Sequence, residues 1–240
     1  MKKSVFLLIF ALVLVLCSCA EPAADIPAAV TTDRISTTAP TTTVPAPTSD
    51  PAPVYECLNE YLLPLEDYSW ERKYDPEFVM IHFTSAVTNH RDNPYNISLV
   101  RDIFVEYNLS VHYIIDRDGT IRCYIPEDRV AWHAGAGTFL DDERYTNQMN
   151  QYAIGIELLA IGSEADMAQY LTAGEYQALD DSLKGFTQEQ YDALKVLVED
   201  ICSRNGIPMD RDHVIGHEDY SPKKTDPGEL FDWSQLFPTV

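Results

Sequence analysis

Apolar side chains recur along this chain in two rhythms, and together they outline a fold. Phe78-Val79-Met80-Ile81-His82-Phe83 is an apolar run of β-forming residues with a histidine near its end, and it predicts a buried strand. From Asn96 to Asn108 the spacing changes: Ile97, Val100, Ile103, Phe104 and Tyr107 form one stripe, which predicts a helix. Val111-His112-Tyr113-Ile114-Ile115 and Thr120-Ile121-Arg122-Cys123-Tyr124-Ile125 read as strands. Between them lies Asp116-Arg117-Asp118-Gly119, whose Asp-Gly pair is a hairpin signal. Ala153 to Leu159 is apolar on both faces, which predicts a central strand. Residues 163–185 are acidic and irregular, and one or two short helices are expected there. Thr187 and Gln190 form a capping box ahead of Tyr191, Leu194, Leu197, Val198 and Ile201 at helical spacing; Gly206 and Pro208 end that helix. His213 to His217 reads as a short strand. The order strand, helix, hairpin, strand, helix, strand predicts a single α/β domain, with a central mixed β-sheet and helices on its faces.

The N-terminal 54 residues follow neither rhythm. Met1-Lys2-Lys3 precedes an apolar run from Val5 to Leu16, too short to span a bilayer as a mature helix, and reads as a signal segment. Leu16-Cys17-Ser18-Cys19 resembles the bacterial lipobox, which makes Cys19 the expected lipidated first residue of the mature protein. Ordinary signal cleavage near Ala20 is the alternative. Residues 19–54 are rich in Thr, Pro, Ala and Ser and hold almost no large apolar side chains, so they cannot offset their own ordering entropy. The expected organisation is a lipoprotein signal peptide over 1–18, a disordered tether over 19–54 and a catalytic domain over 55–240. The product would be extracytoplasmic, touching the membrane only through its N-terminal lipid.

Charge narrows the partners. The formal net charge is −21, with 17 basic and 38 acidic residues; loss of Lys2 and Lys3 leaves 15 basic against 38 acidic, or −23. Such a surface does not hold a nucleic-acid backbone by counterion release. Outside the signal segment, Cys57, Cys123 and Cys202 allow at most one internal bridge; small buried thiols are the plainer expectation.

The chemistry is concentrated near the C-terminus. Gly216-His217-Glu218-Asp219-Tyr220-Ser221-Pro222-Lys223-Lys224-Thr225-Asp226-Pro227-Gly228 brings an imidazole, an ammonium and a carboxylate into one loop shaped by two prolines and a glycine. With His82, these make two imidazoles and a carboxylate, which suits a zinc site with an open fourth position. His213 and His217 are i, i+4, but on a strand that separates them by about 13 Å, so they are not expected to share a metal.

The ordered set of motifs resembles the zinc-dependent N-acetylmuramoyl-L-alanine amidase family, whose fold is shared with peptidoglycan-recognition proteins and phage amidase lysozymes. The matching pieces are Ile81-His82-Phe83-Thr84, Val111 to Ile115 with Asp118-Gly119, and Ala131-Trp132-His133-Ala134-Gly135. They continue with Ile154 to Leu158, Gly216-His217, Lys224 to Gly228 and Phe231-Asp232-Trp233. The resemblance implies that His82, His217 and Asp226 hold Zn2+, that Glu157 is the catalytic base and that Lys224 stabilises the oxyanion. It implies substrate contacts for Trp132 and His133, with His112 as a further candidate. Val111 stands where the phage branch has a catalytic tyrosine, which leaves Glu157 as the base. Each residue also has a plainer reading. His82 alone could be a core histidine, Asp226 a turn former, Glu157 a structural carboxylate, Lys224 a solvated lysine replaceable by Lys223, and His133 a structural residue; His112 reads more readily as a core residue or one that supports the site than as a contact. The implied function is hydrolysis of the amide between N-acetylmuramic acid and L-alanine of peptidoglycan or muropeptides, by a monomer. A non-catalytic peptidoglycan-binding module of the same fold is the main rival, and an unrelated hydrolase with a borrowed metal site is another.

Overall fold

The computed structural model describes residues 56–59 and 63–237. The expected signal segment, the tether and Cys19 lie outside the described residues. Six strands form one mixed sheet: β1 (Cys57–Leu58), β3 (Phe78–Thr84), β4 (Tyr113–Ile115), β5 (Ile121–Cys123), β7 (Ala153–Leu159) and β8 (Val214–Gly216). Their spatial order is β1-β5-β4-β7-β3-β8. Only the β4–β5 hairpin is antiparallel; the other neighbours run parallel. Strands β2 (Trp70–Glu71) and β6 (Arg129–Val130) form a separate antiparallel pair. The helices are α1 (Leu65–Tyr68), α2 (Ile97–Glu106), α3 (Glu164–Met167), α4 (Ala173–Gln177), α5 (Gln188–Asn205) and α6 (His217–Tyr220). The α/β architecture and the central place of β7 match the pattern of the sequence.

Alternation along the strands divides the sheet into two unlike faces. Val79, Ile81, Ile154, Ile156, Leu158 and Val214 point to one side and pack on Tyr191, Leu194, Leu197, Val198 and Ile201 of α5. That helix starts where the Thr187 hydroxyl accepts from the Gln190 amide while the Gln190 side chain accepts from the Thr187 amide. It ends at Gly206, whose φ of 67° is left-handed. The buried Gln190 side chain also donates from Nε2 to the Ile115 and Leu159 carbonyls, which fastens α5 to β4 and β7. Each fully buried aliphatic side chain in this layer contributes about 1.5–3 kcal/mol.

The opposite face carries Met80, His82, Gly155, Glu157 and Leu159. One end of it is covered by Val100 and Phe104 of α2, which pack with Ile114, Tyr124, Ala131 and Leu159. The other end is covered by Ala134, Tyr145, Met149, Tyr152 and Tyr220 around Phe78 and Met80. His82 and Glu157 lie between these two caps. The acidic stretch folds as α3 and α4, each opened by a capping box, and buries Met167, Leu171, Tyr176 and Leu179 with Val87 and Ile161. Cys57, Cys123 and Cys202 are free thiols, the last two buried. Among the described residues no helix is long and apolar enough to cross a membrane.

Candidate metal centre

Parallel pairing sets the first two functional side chains. His82 on β3 stands in register with Glu157 on β7, so both project from the same face of the sheet. His217 opens α6 directly after β8, which pairs with β3 on its other side. Asp226 returns from the following loop. The Glu218 amide donates to the Asp226 carbonyl at 3.0 Å, and the Gly228 amide donates to Glu218 Oε2 at 3.3 Å. The loop also leans on buried Asp166 at the end of α3, whose Oδ2 accepts from the Glu229 amide at 3.3 Å and from the Ser163 amide at 2.9 Å. The Asp226–Pro227 peptide is cis.

These elements bring three ligand atoms together. His82 Nδ1 lies 3.0 Å from His217 Nδ1 and 2.8 Å from Asp226 Oδ2, and His217 Nδ1 lies 3.0 Å from that same oxygen. The His82, His217 and Asp226 donors all fall within 4.8 Å of one another, and the two rings are almost wholly buried. Burial lowers the His82 pKa to about 4, against the pull of Asp226, so the ring is neutral near pH 7. Burial pushes Asp226 upward, but hydrogen bonds from His217 and His82 outweigh it and hold the carboxyl well below the usual carboxylate range. Two imidazoles and one carboxylate, with nitrogen and oxygen donors converging on one point, fit a borderline cation such as zinc.

Glu157 sits beside this cluster. Its Oε2 is buried without a hydrogen-bond partner among the described residues. Burial, then the charge of Asp226, raise its pKa well above the ordinary value, against the opposing Lys224 ammonium. An isolated carboxyl in such a place is costly unless it holds a proton or faces a partner absent from the protein itself. Lys224, two residues before Asp226, and Lys223, three before it, are both exposed on the loop.

Behind the histidines runs the segment His133–Ala134. His82 Nε2 meets His133 Nδ1 at 3.0 Å, and His217 Nε2 meets the Ala134 carbonyl at 2.9 Å. Asn150 Oδ1 accepts from both backbone amides of this segment, at 3.0 Å from His133 and 2.8 Å from Ala134. The His133 ring lies against Gly155 of β7, where a Cβ would fall 2.6 Å from the ring's Cγ. Asn150 and Gly155 were not among the sequence candidates. A glycine inside an otherwise apolar strand is the available signal, because it marks a close approach of another group.

Trp132 is half-buried, with its ring 5.3 Å from Trp70 and 6.5 Å from Tyr68. His112 lies where its reading as a core or supporting residue puts it. It has no exposed surface; its Nδ1 accepts from the Gly155 amide at 2.9 Å and its Nε2 meets the Arg129 carbonyl at 3.1 Å. Strand pairing turns it into the sheet, so it braces the backbone beside the site. His213 is separate from the cluster and pairs with Asp210.

The chain has recognisable relatives among known proteins. The family model described as N-acetylmuramoyl-L-alanine amidase matches residues 72–229. The 1,6-anhydro-N-acetylmuramyl-L-alanine amidase AmpD of Enterobacter cloacae is 34% identical over 129 residues, covering 53% of this chain and 55% of that protein. The N-acetylmuramoyl-L-alanine amidase AmiD of Escherichia coli K12 is 32% identical over 136 residues, covering 53% of this chain and 43% of that protein. The chain thus spans about half the length of the curated relatives it matches. A crystal structure of a selenomethionine AmpD derivative aligns with a TM-score of 0.50 at 25% identity, over 76% of this chain and 98% of that one. AmiD from E. coli, solved with anhydro-N-acetylmuramic acid-L-Ala-D-gamma-Glu-L-Lys, aligns with a TM-score of 0.51 at 25% identity, over 68% of this chain and 57% of that one. The match across residues 72–229, on a sheet that gathers His82, His217 and Asp226 at one point, makes this chain a member of the N-acetylmuramoyl-L-alanine amidase family.

Proposed function

We propose that this protein hydrolyses the amide between the lactyl group of N-acetylmuramic acid and L-alanine in peptidoglycan or its soluble muropeptides, with zinc held by His82, His217 and Asp226. One observation carries this reading: three convergent donor atoms within 4.8 Å lie beside a buried, unpartnered carboxyl on the neighbouring strand. Zinc bound there would act as a Lewis acid on water and on the scissile carbonyl, lowering the pKa of water to about 7. Glu157 takes the proton of the attacking water and returns it to the departing alanine amine, as its raised proton affinity suits. Lys224, exposed at the rim, turns its ammonium toward the negative charge that develops on the carbonyl oxygen. Loss of one such donor costs about 3–4 kcal/mol in the transition state.

The names of the relatives support the substrate class, and the retained donor set argues against a module that only binds. The test is mass spectrometry of digested sacculi and of purified muropeptides. A released stem peptide with a free N-terminal alanine supports the proposal; bound but uncut material refutes it. Glu157→Ala should stop cleavage while zinc stays bound, and cleavage by that variant would remove Glu157 from the role of base.

We further infer an extracytoplasmic, lipid-anchored location from the lipobox-like Leu16-Cys17-Ser18-Cys19 and the tether that follows it. Each buried methylene of an acyl chain adds about 0.8 kcal/mol of membrane affinity. Labelled fatty acid should be incorporated into the wild-type protein and not into Cys19→Ala; equal labelling, or none in either, would exclude lipidation at that residue.

A further inference from the structure

We infer that the segment His133–Ala134, clipped by Asn150, is the outer support that fixes which nitrogen of each histidine faces the metal. The inference rests on the metal-centre reading above. The first of the two rings is that of His217. Its Nε2 lies 2.9 Å from the Ala134 carbonyl, and a carbonyl only accepts, so Nε2 carries a proton, and a bound cation in place of the Nδ1 proton would meet the Nδ1 lone pair. His82 is held in the same sense by a different group. Its Nδ1 is the atom within the donor cluster; with a cation bound there the proton sits on Nε2, and His133 Nδ1 at 3.0 Å is then the acceptor, with its own proton on the buried Nε2. Two adjacent residues thus supply both acceptors, one through a ring and the other through its backbone.

The segment is held from two further directions. Asn150 uses a single side-chain oxygen to accept from the amides of both His133 and Ala134. Gly155 leaves β7 without a Cβ under the His133 ring, which lets the imidazole lie on the strand backbone. The Gly155 amide is itself fixed by His112 Nδ1 at 2.9 Å. His133 is therefore a positioning residue. It is almost wholly buried, and its Nδ1 is occupied by a ligand histidine rather than turned toward a substrate.

Outer partners of this kind are worth about 10–100-fold in metal affinity. The experiment titrates zinc into the full chain, in detergent, against a chromophoric chelator. His133→Leu removes the acceptor at similar volume, while His133→Asn keeps an acceptor oxygen attached at Cγ, where Nδ1 now sits. The leucine variant should lose about 10–100-fold in zinc affinity, and the asparagine variant should recover most of it. Equal affinity for zinc in wild type and His133→Leu would overturn the inference. Failure of the wild type itself to bind zinc would instead overturn the metal-centre reading. A second measurement needs no substitution: long-range nitrogen–proton NMR correlations on the zinc-loaded protein should show His82 and His217 both protonated at Nε2. A proton on His82 Nδ1 would refute the inference even if the leucine variant failed to fold.

Discussion

Gly155→Ala tests the sheet-face geometry with a single methyl group. On an extended strand, alanine in place of glycine normally stabilises a protein by about 0.4–1 kcal/mol, because the unfolded chain loses freedom. At this position the new Cβ would meet His133 Cγ at 2.6 Å and its Cδ2 and Nδ1 at 2.7 Å. Those atoms lie at the root of the ring and cannot swing aside as the tip of a flexible side chain would. The backbone behind them is pinned by Asn150. Overpacking of this sort costs about 1–3 kcal/mol. Set against the gain from the unfolded state, the net loss is about 1–2 kcal/mol. At roughly 2–4 °C per kcal/mol for a domain of this size, thermal unfolding should fall by about 2–8 °C. Gly174→Ala is the control: it lies in α4 with no atom within 4 Å of the added Cβ, so it should gain up to about 1 kcal/mol. Both are read by calorimetry or circular dichroism on the same preparation. If Gly155→Ala melts at or above the wild-type temperature, the His133 ring does not occupy the space above β7, and the account of its contact with His82 fails with it.

Other expectations are independent of that position. Glu127 accepts from both terminal nitrogens of Arg204, from Tyr113 and from Asn205, tying α5 to the segment after β5. Burial opposes its ionisation, but these donors prevail and its pKa is lowered below 4.5, so its contribution is present above pH 4.5 and is lost as pH falls through the folded value. Glu127→Gln should therefore cost about 1.5–3 kcal/mol near pH 7, and the gap to wild type should close in strongly acidic buffer; a gap that does not change with pH would contradict this. Asp166→Ala strips the acceptor from the Ser163 and Glu229 amides and should cost about 1–3 kcal/mol by chemical denaturation. No change in the denaturation midpoint would show that α3 does not hold the Asp226 loop. Zinc at 100 times its dissociation constant should raise stability by about 2.7 kcal/mol, and a chelator should reverse the gain. An unfolding temperature indifferent to both would argue against the site. Asn150→Ala should weaken zinc binding, measured by chelator competition, and unchanged affinity would remove Asn150 from the support.

The parts of the fold that were legible in the sequence are those whose identity lies in their own residues. The apolar runs of β3 and β7 and the capping box of α5 announce themselves, and the structure keeps them within a residue or two. Strands β1, β2 and β6 are two residues long and exist only because a partner backbone is present, so no local pattern marks them. The register that sets His82 opposite Glu157 is likewise a property of two strands and of neither alone. The motif Trp132-His133-Ala134 drew attention to the correct segment, but a motif does not say which way a ring points. His112 is the sharpest case: a histidine between apolar neighbours reads as a core residue or a brace more readily than as a contact, and the sequence does not separate these. Only the Gly155 amide against its Nδ1 decides among them.

The three donors of the cation site stand far apart along the polypeptide: His82 is separated from His217 by 135 positions and from Asp226 by 144. Closing so long a span is entropically demanding before any contact repays it. No early fragment of the chain brings the three donors together, and their convergence waits until β8 has docked against β3. A cation held by these donors would therefore certify that assembly is finished.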